Sequence, residues 1–365
     1  MALDLPDFPW DSLAGVTATA RAHEGGIVDL SVGSPVDPTP EIIRDALREA
    51  TDAHSYPQVA GTPALRQAII EWYGRRRGVT DLTEAEVLPT IGSKELIAGM
   101  ALWLGIGPGD TVVYPRNAYP TYELGAALVG ATALASDDPA EWPSSTKLVW
   151  LNSPGNPDGS VLSYSELAAA VTRARELGAV VAGDECYAEL GWEPAYDAVA
   201  TPCILDRRVV GDSLDSVVSV YSLSKQSNLA GYRAGFVAGD AAVIAQLLAV
   251  RKHAGLMPPA PVQQAMVRAL GDESHVTAQK AVYRARRERL KTALEGAGFR
   301  VDSSEAGLYL WATRGEDAWV TLEWLAARGI LGAPGTFYGV DGAQHVRLAL
   351  TSTDERIDAA VSRLA

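Results

Sequence analysis

The sequence predicts an α/β fold in which a mainly parallel sheet is covered by helices on both faces and joined to a smaller α+β domain. Three observations carry this. First, six short apolar runs alternate with helical stretches between Glu86 and Gly239: Val87 to Ile91, Thr111 to Tyr114, Lys147 to Leu151, Ala179 to Ala182, Val217 to Tyr221 and Ala234 to Ala238. Runs apolar at nearly every position are what a sheet buried on both faces requires, and helices between them imply parallel crossovers. Second, 365 residues are more than one ordinary domain and few for three. Third, Met257-Pro258-Pro259-Ala260-Pro261 interrupts the pattern and a different composition follows. Residues 46–272 are expected to form the large domain, and residues 1–45 with 273–365 the small domain and an N-terminal arm.

In chain order, the first forty residues are short, proline-punctuated pieces. An apolar stretch from Ile27 to Val32 leads into Gly33-Ser34-Pro35, which reads as an arm and a loop. Glu41 to Ala50 predicts a helix that His54-Ser55-Tyr56-Pro57 ends. Thr62 supplies an N-cap and Pro63 the first helical position. Leu65, Ala68, Ile69, Trp72 and Tyr73 then follow amphipathic helical spacing. Past the proline break, one helix begins near Gln263, a long basic one runs from His275 to Glu295, and shorter elements reach Ala365.

The formal net charge of -14 argues against nucleic acid or an anionic membrane as the main partner. An anionic substrate would need a local arginine cluster. Cys186 and Cys203 are too few for a disulfide framework and wrongly spaced for zinc, which fits a reducing compartment. The start, MALDLPDFPW, lacks the basic end and apolar block of a signal peptide, and no apolar run reaches membrane-spanning length. A soluble, cytoplasmic protein is expected, with no metal site.

Ligands of such sheets sit beyond the carboxyl ends of strands, so the residues after each run matter most. After Val217 to Tyr221 come Ser222, Ser224 and Lys225, with Arg233 eight residues beyond the lysine. A lysine crowded by small residues past a buried strand loses solvation and becomes a nucleophilic amine. Two hydroxyls and a guanidinium nearby are the donors a phosphate dianion needs. An amine for an aldehyde beside a phosphate anchor describes a pyridoxal phosphate site; a strand-ending lysine and a salt-bridged arginine is the plainer alternative. After Val87 to Ile91, Gly92-Ser93-Lys94-Glu95 opens a helix whose first amides suit an anion or form an ordinary cap. Tyr119 follows the next run and has an aromatic face for a ring. Asn156 stands out of the turn-forming string Asn152 to Gly159. Asp184 ends a buried run, where a carboxylate is costly without a cation; a protonated pyridine nitrogen would serve, and a helix cap is the alternative. Cys186 reads as core filling. Arg347, among apolar neighbours in His345 to Leu350, needs an anion.

With those residues in this order, the chain resembles the fold-type I pyridoxal phosphate-dependent aminotransferases of class I/II. The resemblance runs from Gly33 to Arg347 and rests on SxSK with the spaced arginine, D-E-C-Y and G-N-P-D-G. It implies a seven-stranded, mainly parallel sheet in an α/β/α large domain. By the same resemblance Lys225 bonds the cofactor aldehyde and moves the proton at the substrate α carbon. Asp184 keeps the ring nitrogen protonated, Asn156 and Tyr187 hold the ring's phenolic oxygen, and Tyr119 stacks on the ring. The Ser93 and Lys94 amides, Ser222, Ser224 and Arg233 hold the phosphate. Tyr56 reaches the phosphate of a neighbouring subunit, which implies a homodimer with shared active sites. Arg347 forks onto the substrate α-carboxylate while the Gly33 loop closes opposite. Asp158, where threonine is usual, and Arg116-Asn117 before the stacking tyrosine depart from the pattern.

The strings GSKELIAG, SLSKQSNLAGYRAGFVAGD, VRKHAGLMPPAPVQ and SEAGLYLWATRGE resemble actinobacterial-type N-succinyldiaminopimelate aminotransferases. That implies glutamate as donor and N-succinyl-2-amino-6-oxopimelate as acceptor, with Lys94, Arg116, Arg207 and Arg208 as candidates for its distal carboxylates. Aspartate, aromatic amino acids or N-acetylornithine stay open as substrates, as do a pyridoxal phosphate lyase and a non-catalytic binding protein of the same fold.

Overall fold

A computed structural model describes residues 9–196 and 200–365, so the first eight residues of the expected arm, most of MALDLPDFPW, lie outside it. In chain order its strands are β1 (Val28–Asp29), β2 (Val87–Ile91), β3 (Thr111–Tyr114), β4 (Thr132–Ala135), β5 (Thr146–Asn152), β6 (Val180–Asp184), β7 (Val217–Ser222), β8 (Ala234–Gly239), β9 (Arg300–Asp302), β10 (Tyr309–Thr313), β11 (Ile330–Leu331), β12 (Ala333–Pro334) and β13 (Val346–Ala349).

Among the described residues seven strands form one sheet in the order β2-β8-β7-β6-β5-β3-β4. Strands β4, β3, β5, β6 and β7 pair in parallel, whereas β8 is antiparallel to both β7 and β2. All six apolar runs are strands, with ends shifted by a residue or two. The seventh, β4, went unread because it is an edge strand whose side chains are partly or fully exposed, so no continuous apolar run marks it.

Strands β7 and β8 are buried throughout. Val217 and Tyr221 pack with Ile69 and Trp72 in one layer, while Val218 and Val220 pack with Leu96 and Met100 in the other. This is the two-residue alternation of a strand with apolar material on both sides. Each valine so buried contributes roughly 1.5–3 kcal/mol. The helix Pro63–Trp72 starts as predicted, with the Thr62 side chain accepting from the Leu65 amide at 3.2 Å.

Strands β12, β13, β10 and β9 form a second, antiparallel sheet. The N-terminal segment docks onto it: β1 pairs in parallel with β11, and the Ala349 amide donates to Leu30 O at 2.8 Å. The arm also holds a helix, Ala14–Arg21, that its sequence does not announce. No helix among the described residues is long and apolar enough to cross a membrane.

Strand direction builds one end of the large sheet. The parallel strands β5, β6 and β7 finish side by side, with Asn152 opposite Asp184 and Asp184 opposite Val220. Strand β8 enters from the other direction, so its start lies where its neighbours stop: Ala234 is opposite Ile91, and Gly235 opposite Ser222.

Candidate active site

These strand ends border a cavity of about 540 Å³, a size suited to a small ligand. Gly33, Ser93, Lys94, Tyr119, Asn156, Asp184, Tyr187, Ser222, Ser224, Lys225, Arg233 and Arg347 all line it. Tyr56 does not; it is 97 % exposed on the surface of the chain.

Lys225 sits in the turn after β7, closed by the Ser227 amide on Leu223 O at 3.2 Å. Its Nζ donates to Gly33 O. Burial pushes its pKa down, and the Arg347 and Arg233 cations add to this against the opposing Tyr309 and Cys186. The amine is thereby shifted toward its neutral, nucleophilic form.

Asp184 ends β6. Its Oδ2 accepts from the Tyr122 hydroxyl at 2.8 Å and its Oδ1 from the Cys186 amide at 3.2 Å. The second bond is the local turn that a capping role predicts, but the side chain also borders the cavity. Burial raises the carboxyl pKa, and no cationic side chain pairs with it among the described residues. A cation brought against it would be stabilised.

Asn152 organises the turn after β5. Its Nδ2 donates to Asp184 O at 3.0 Å and Pro154 O at 3.1 Å, while its Oδ1 accepts from the Asn156 amide at 2.8 Å. Asn156 Oδ1 in turn accepts from Arg347 Nη1 at 2.9 Å. Arg347 Nη2 donates to Ser31 O at 2.7 Å, and its Nε has no hydrogen-bond partner among the described residues. The guanidinium lies 3.9 Å from the centroid of the Tyr309 ring and 4.8 Å from that of Tyr338, in a residue only 3 % exposed. No acidic side chain among the described residues neutralises it, so a structural salt bridge does not explain Arg347.

Tyr309, Tyr122 and Asn152 are site residues that sequence reasoning missed. The Tyr309 hydroxyl is 3.2 Å from that of Tyr187. Burial works to raise its pKa, but the Arg347 guanidinium and the Lys225 amine outweigh that and hold it below the usual phenol value. A Cβ on Gly33 would lie 2.1 Å from the Tyr309 hydroxyl, so the loop approaches this closely only with glycine. Tyr122 stands three residues beyond Tyr119 at the start of a helix, a spacing that could have flagged it.

Elsewhere on the cavity lining, Arg233 Nη1 donates to Ala230 O at 2.7 Å, and the guanidinium fills the space beside Gly92. A Cβ at Gly92 would meet Arg233 Nη2 at 2.3 Å. Gly92 begins the helix Gly92–Trp103, which places the guanidinium beside that helix's first turn, where Ser93 and Lys94 stand. Ser222 Oγ donates to Ser224 Oγ at 2.9 Å nearby. Helix end, guanidinium and hydroxyls together make an anion site.

Three of the cations proposed for distal carboxylates lie elsewhere. Arg116 pairs with Asp341 at 2.7 Å, Arg207 with Asp81, and Arg208 with Asp206 at 2.7 Å; none lines the cavity. Each has found an acid close by, and only Lys94 borders the cavity. Asp158 serves its own turn, accepting from the Ser160 amide at 3.2 Å.

Residues 26–364 match the family described as aminotransferase class I and II. The chain belongs to this family. This aminotransferase is 55% identical over 362 residues, 99% of each chain, to the 4-dedimethylamino-4-oxo-anhydrotetracycline transaminase OxyQ of Streptomyces rimosus. It is 54% identical to the probable aminotransferase Rv1178 of Mycobacterium tuberculosis, over 100% of this chain and 86% of that one. Its fold superposes with a TM-score of 0.85 and 28% identity on the N-succinyldiaminopimelate aminotransferase of Mycobacterium tuberculosis, covering 99% and 100% of the two chains.

The family's cofactor is pyridoxal phosphate, and the residues present fit it. A buried amine, a guanidinium at a helix start and a buried carboxylate that has no cation among the described residues line one cavity, the three features that an aldehyde, a phosphate and a pyridinium require.

Proposed function

We propose that this aminotransferase passes the amino group of glutamate to N-succinyl-2-amino-6-oxopimelate, giving N-succinyl-LL-2,6-diaminopimelate for lysine biosynthesis. Bound in the cavity, pyridoxal phosphate supplies an aldehyde for amines and a ring that accepts electron density from the substrate α carbon. The chain does the rest. Lys225 Nζ takes and returns the α proton, and its lowered basicity keeps it able to do so. Asp184 holds the ring nitrogen protonated, and Asn156 and Tyr187 hold the phenolic oxygen. Tyr119 covers the ring; the backbone amides of Ser93 and Lys94, with Ser222, Ser224 and Arg233, hold the phosphate. Arg347 binds the substrate α-carboxylate opposite the Gly33 loop. The near-total exposure of Tyr56 supports a homodimer in which it reaches the neighbouring subunit's phosphate.

Lys94 carries the choice of a multiply anionic acceptor. It lines the cavity, its Nζ lies 5.9 Å from the Tyr119 ring centroid, and it has no ion pair among the described residues. Among the described residues that line the cavity, once Arg347 and Arg233 hold the α-carboxylate and the phosphate and Lys225 serves the chemistry, Lys94 is the cation left for a distal carboxylate. A second reading is favoured by the 55% identity to a tetracycline-intermediate transaminase: a bulky ring ketone as acceptor, received by the apolar surfaces of Trp10 and Val32 at the cavity.

Half-reactions test both. Conversion of the bound cofactor to its amine form by glutamate and by N-succinyl-LL-diaminopimelate, with aspartate and aromatic amino acids inert, is the expected result. Lys94→Met should raise KM for the succinylated substrate about tenfold while sparing glutamate, on the scale of one charge-assisted contact. Conversion by glutamate but not by the succinylated amine would overturn the acceptor and favour the ring ketone.

A further inference from the structure

The helix Ser274–Gly296 carries buried polar groups that the chemistry above leaves unused. His275, Gln279, Tyr283 and Arg286 recur every three or four residues, which places them on one face, and all four are buried. Groups so placed must find partners; Asp272 and Asp354 supply some, at His275 Nδ1 and Arg286 Nε, and the others lie on two loops that border the cavity. His275 Nε2 is 2.8 Å from Ser227 Oγ, two residues beyond Lys225, and its Nδ1 is 2.6 Å from Asp272 Oδ2. Arg286 forks onto both carboxylate oxygens of Asp37, each at 2.7 Å.

Gln279 joins the two loops. Its Oε1 accepts from Asn228 Nδ2 at 2.8 Å, in the turn that follows Lys225, and its Nε2 donates to Asp37 Oδ2 at 2.9 Å, in the loop that follows Gly33. Asn228 is held from further sides as well: its Nδ2 donates to Pro38 O at 3.3 Å, and its carbonyl accepts from Thr39 Oγ1 at 3.0 Å. Its backbone is left-handed, with φ +52°, a conformation that persists in a non-glycine residue only when its surroundings impose it.

We propose that Gln279 and Asn228 are positioning residues that lock the turn presenting Lys225 to the loop carrying Gly33, so that the nucleophilic amine and the loop over the substrate carboxylate move as one unit. Neither residue lines the cavity. The inference rests on the aminotransferase reading of that cavity and on no feature of the acceptor.

Two variants test it. Asn228→Gly keeps the left-handed backbone and removes the amide; Gln279→Met keeps length and removes both hydrogen bonds. In each, backbone amide exchange across residues 31–38 of the cofactor-free protein is expected to quicken about tenfold, the scale of one buried hydrogen bond, while the helix Pro63–Trp72 stays protected. In the loaded enzyme KM for glutamate should rise by a similar factor, with kcat changed much less. Unchanged exchange in that loop with unchanged KM overturns the proposal, as does a uniform loss of protection along the chain. Faster loop exchange in a protein whose parent converts no amino acid would leave the lock standing and refute the proposed use of the cavity.

Discussion

Gly92→Ala isolates the corner of the site proposed to hold the cofactor phosphate. The added Cβ would meet Arg233 Nη2 at 2.3 Å and Cζ at 2.8 Å, in a residue whose φ is +70°. The left-handed backbone costs an alanine about 1–2 kcal/mol. The clash is with the far end of a flexible side chain, so the guanidinium should swing aside while the fold survives. On the proposed assignment that displacement removes a charge-assisted hydrogen bond to phosphate worth about 1.5–3 kcal/mol, and cofactor binding should weaken roughly tenfold to a hundredfold. Titrating cofactor-free protein with pyridoxal phosphate and with pyridoxal, which lacks the phosphate, separates the two effects. The variant should lose affinity for the first and keep it for the second, and adding Gly92→Ala to Arg233→Met should cost little more. Equal weakening of both ligands, or phosphate-ester affinity within about twofold of the parent, would refute the assignment of this corner to phosphate.

Lys225→Ala should abolish transamination with the fold retained; turnover without added amine would contradict its role. In the cofactor-free protein the lysine's pKa is lowered below 10.5 by burial, so the unfolded chain binds the proton more readily. Stability should therefore rise with pH between the lowered folded value and 10.5, and denaturant melts of Lys225→Met should lack that rise. Asp184 has the opposite sign: burial raises its carboxyl above 3.8, the folded state keeps the proton longer, and stability falls as pH climbs from 3.8 through the folded value. Asp184→Asn should accordingly stabilise the cofactor-free protein at neutral pH while lowering kcat on the order of a hundredfold or more; a destabilised variant with normal kcat would contradict both. Tyr309→Phe, which removes one hydroxyl of the pair with Tyr187, should lower kcat about two- to tenfold, and an unaltered kcat would mean that the pair is idle.

The layered α/β architecture and most of the residues that line the cavity could be read from the order of residues alone, because both leave local marks. A strand buried on both faces must be apolar along its length, so six of the seven strands of the large sheet could be read directly. A lysine, a carboxylate or an arginine beside such a run contradicts its surroundings, and Lys225, Asp184 and Arg347 were visible for that reason. The edge strand β4 left no such mark, since half-exposed positions tolerate any residue. Which groups meet depends on the folded chain. The antiparallel entry of β8 carries Arg233 to Gly92, and β13 brings Arg347 against Asn156 and Tyr309, across separations that no local pattern records. Arg116, Arg207 and Arg208 show the same limit from the other side: in sequence they are charges beyond apolar runs as Lys94 is, yet they pair with acids, some near and some far along the chain, and do not line the cavity. Burial is a property of each residue and is written in its neighbours along the chain, whereas pairing depends on distances in space that only the folded chain defines.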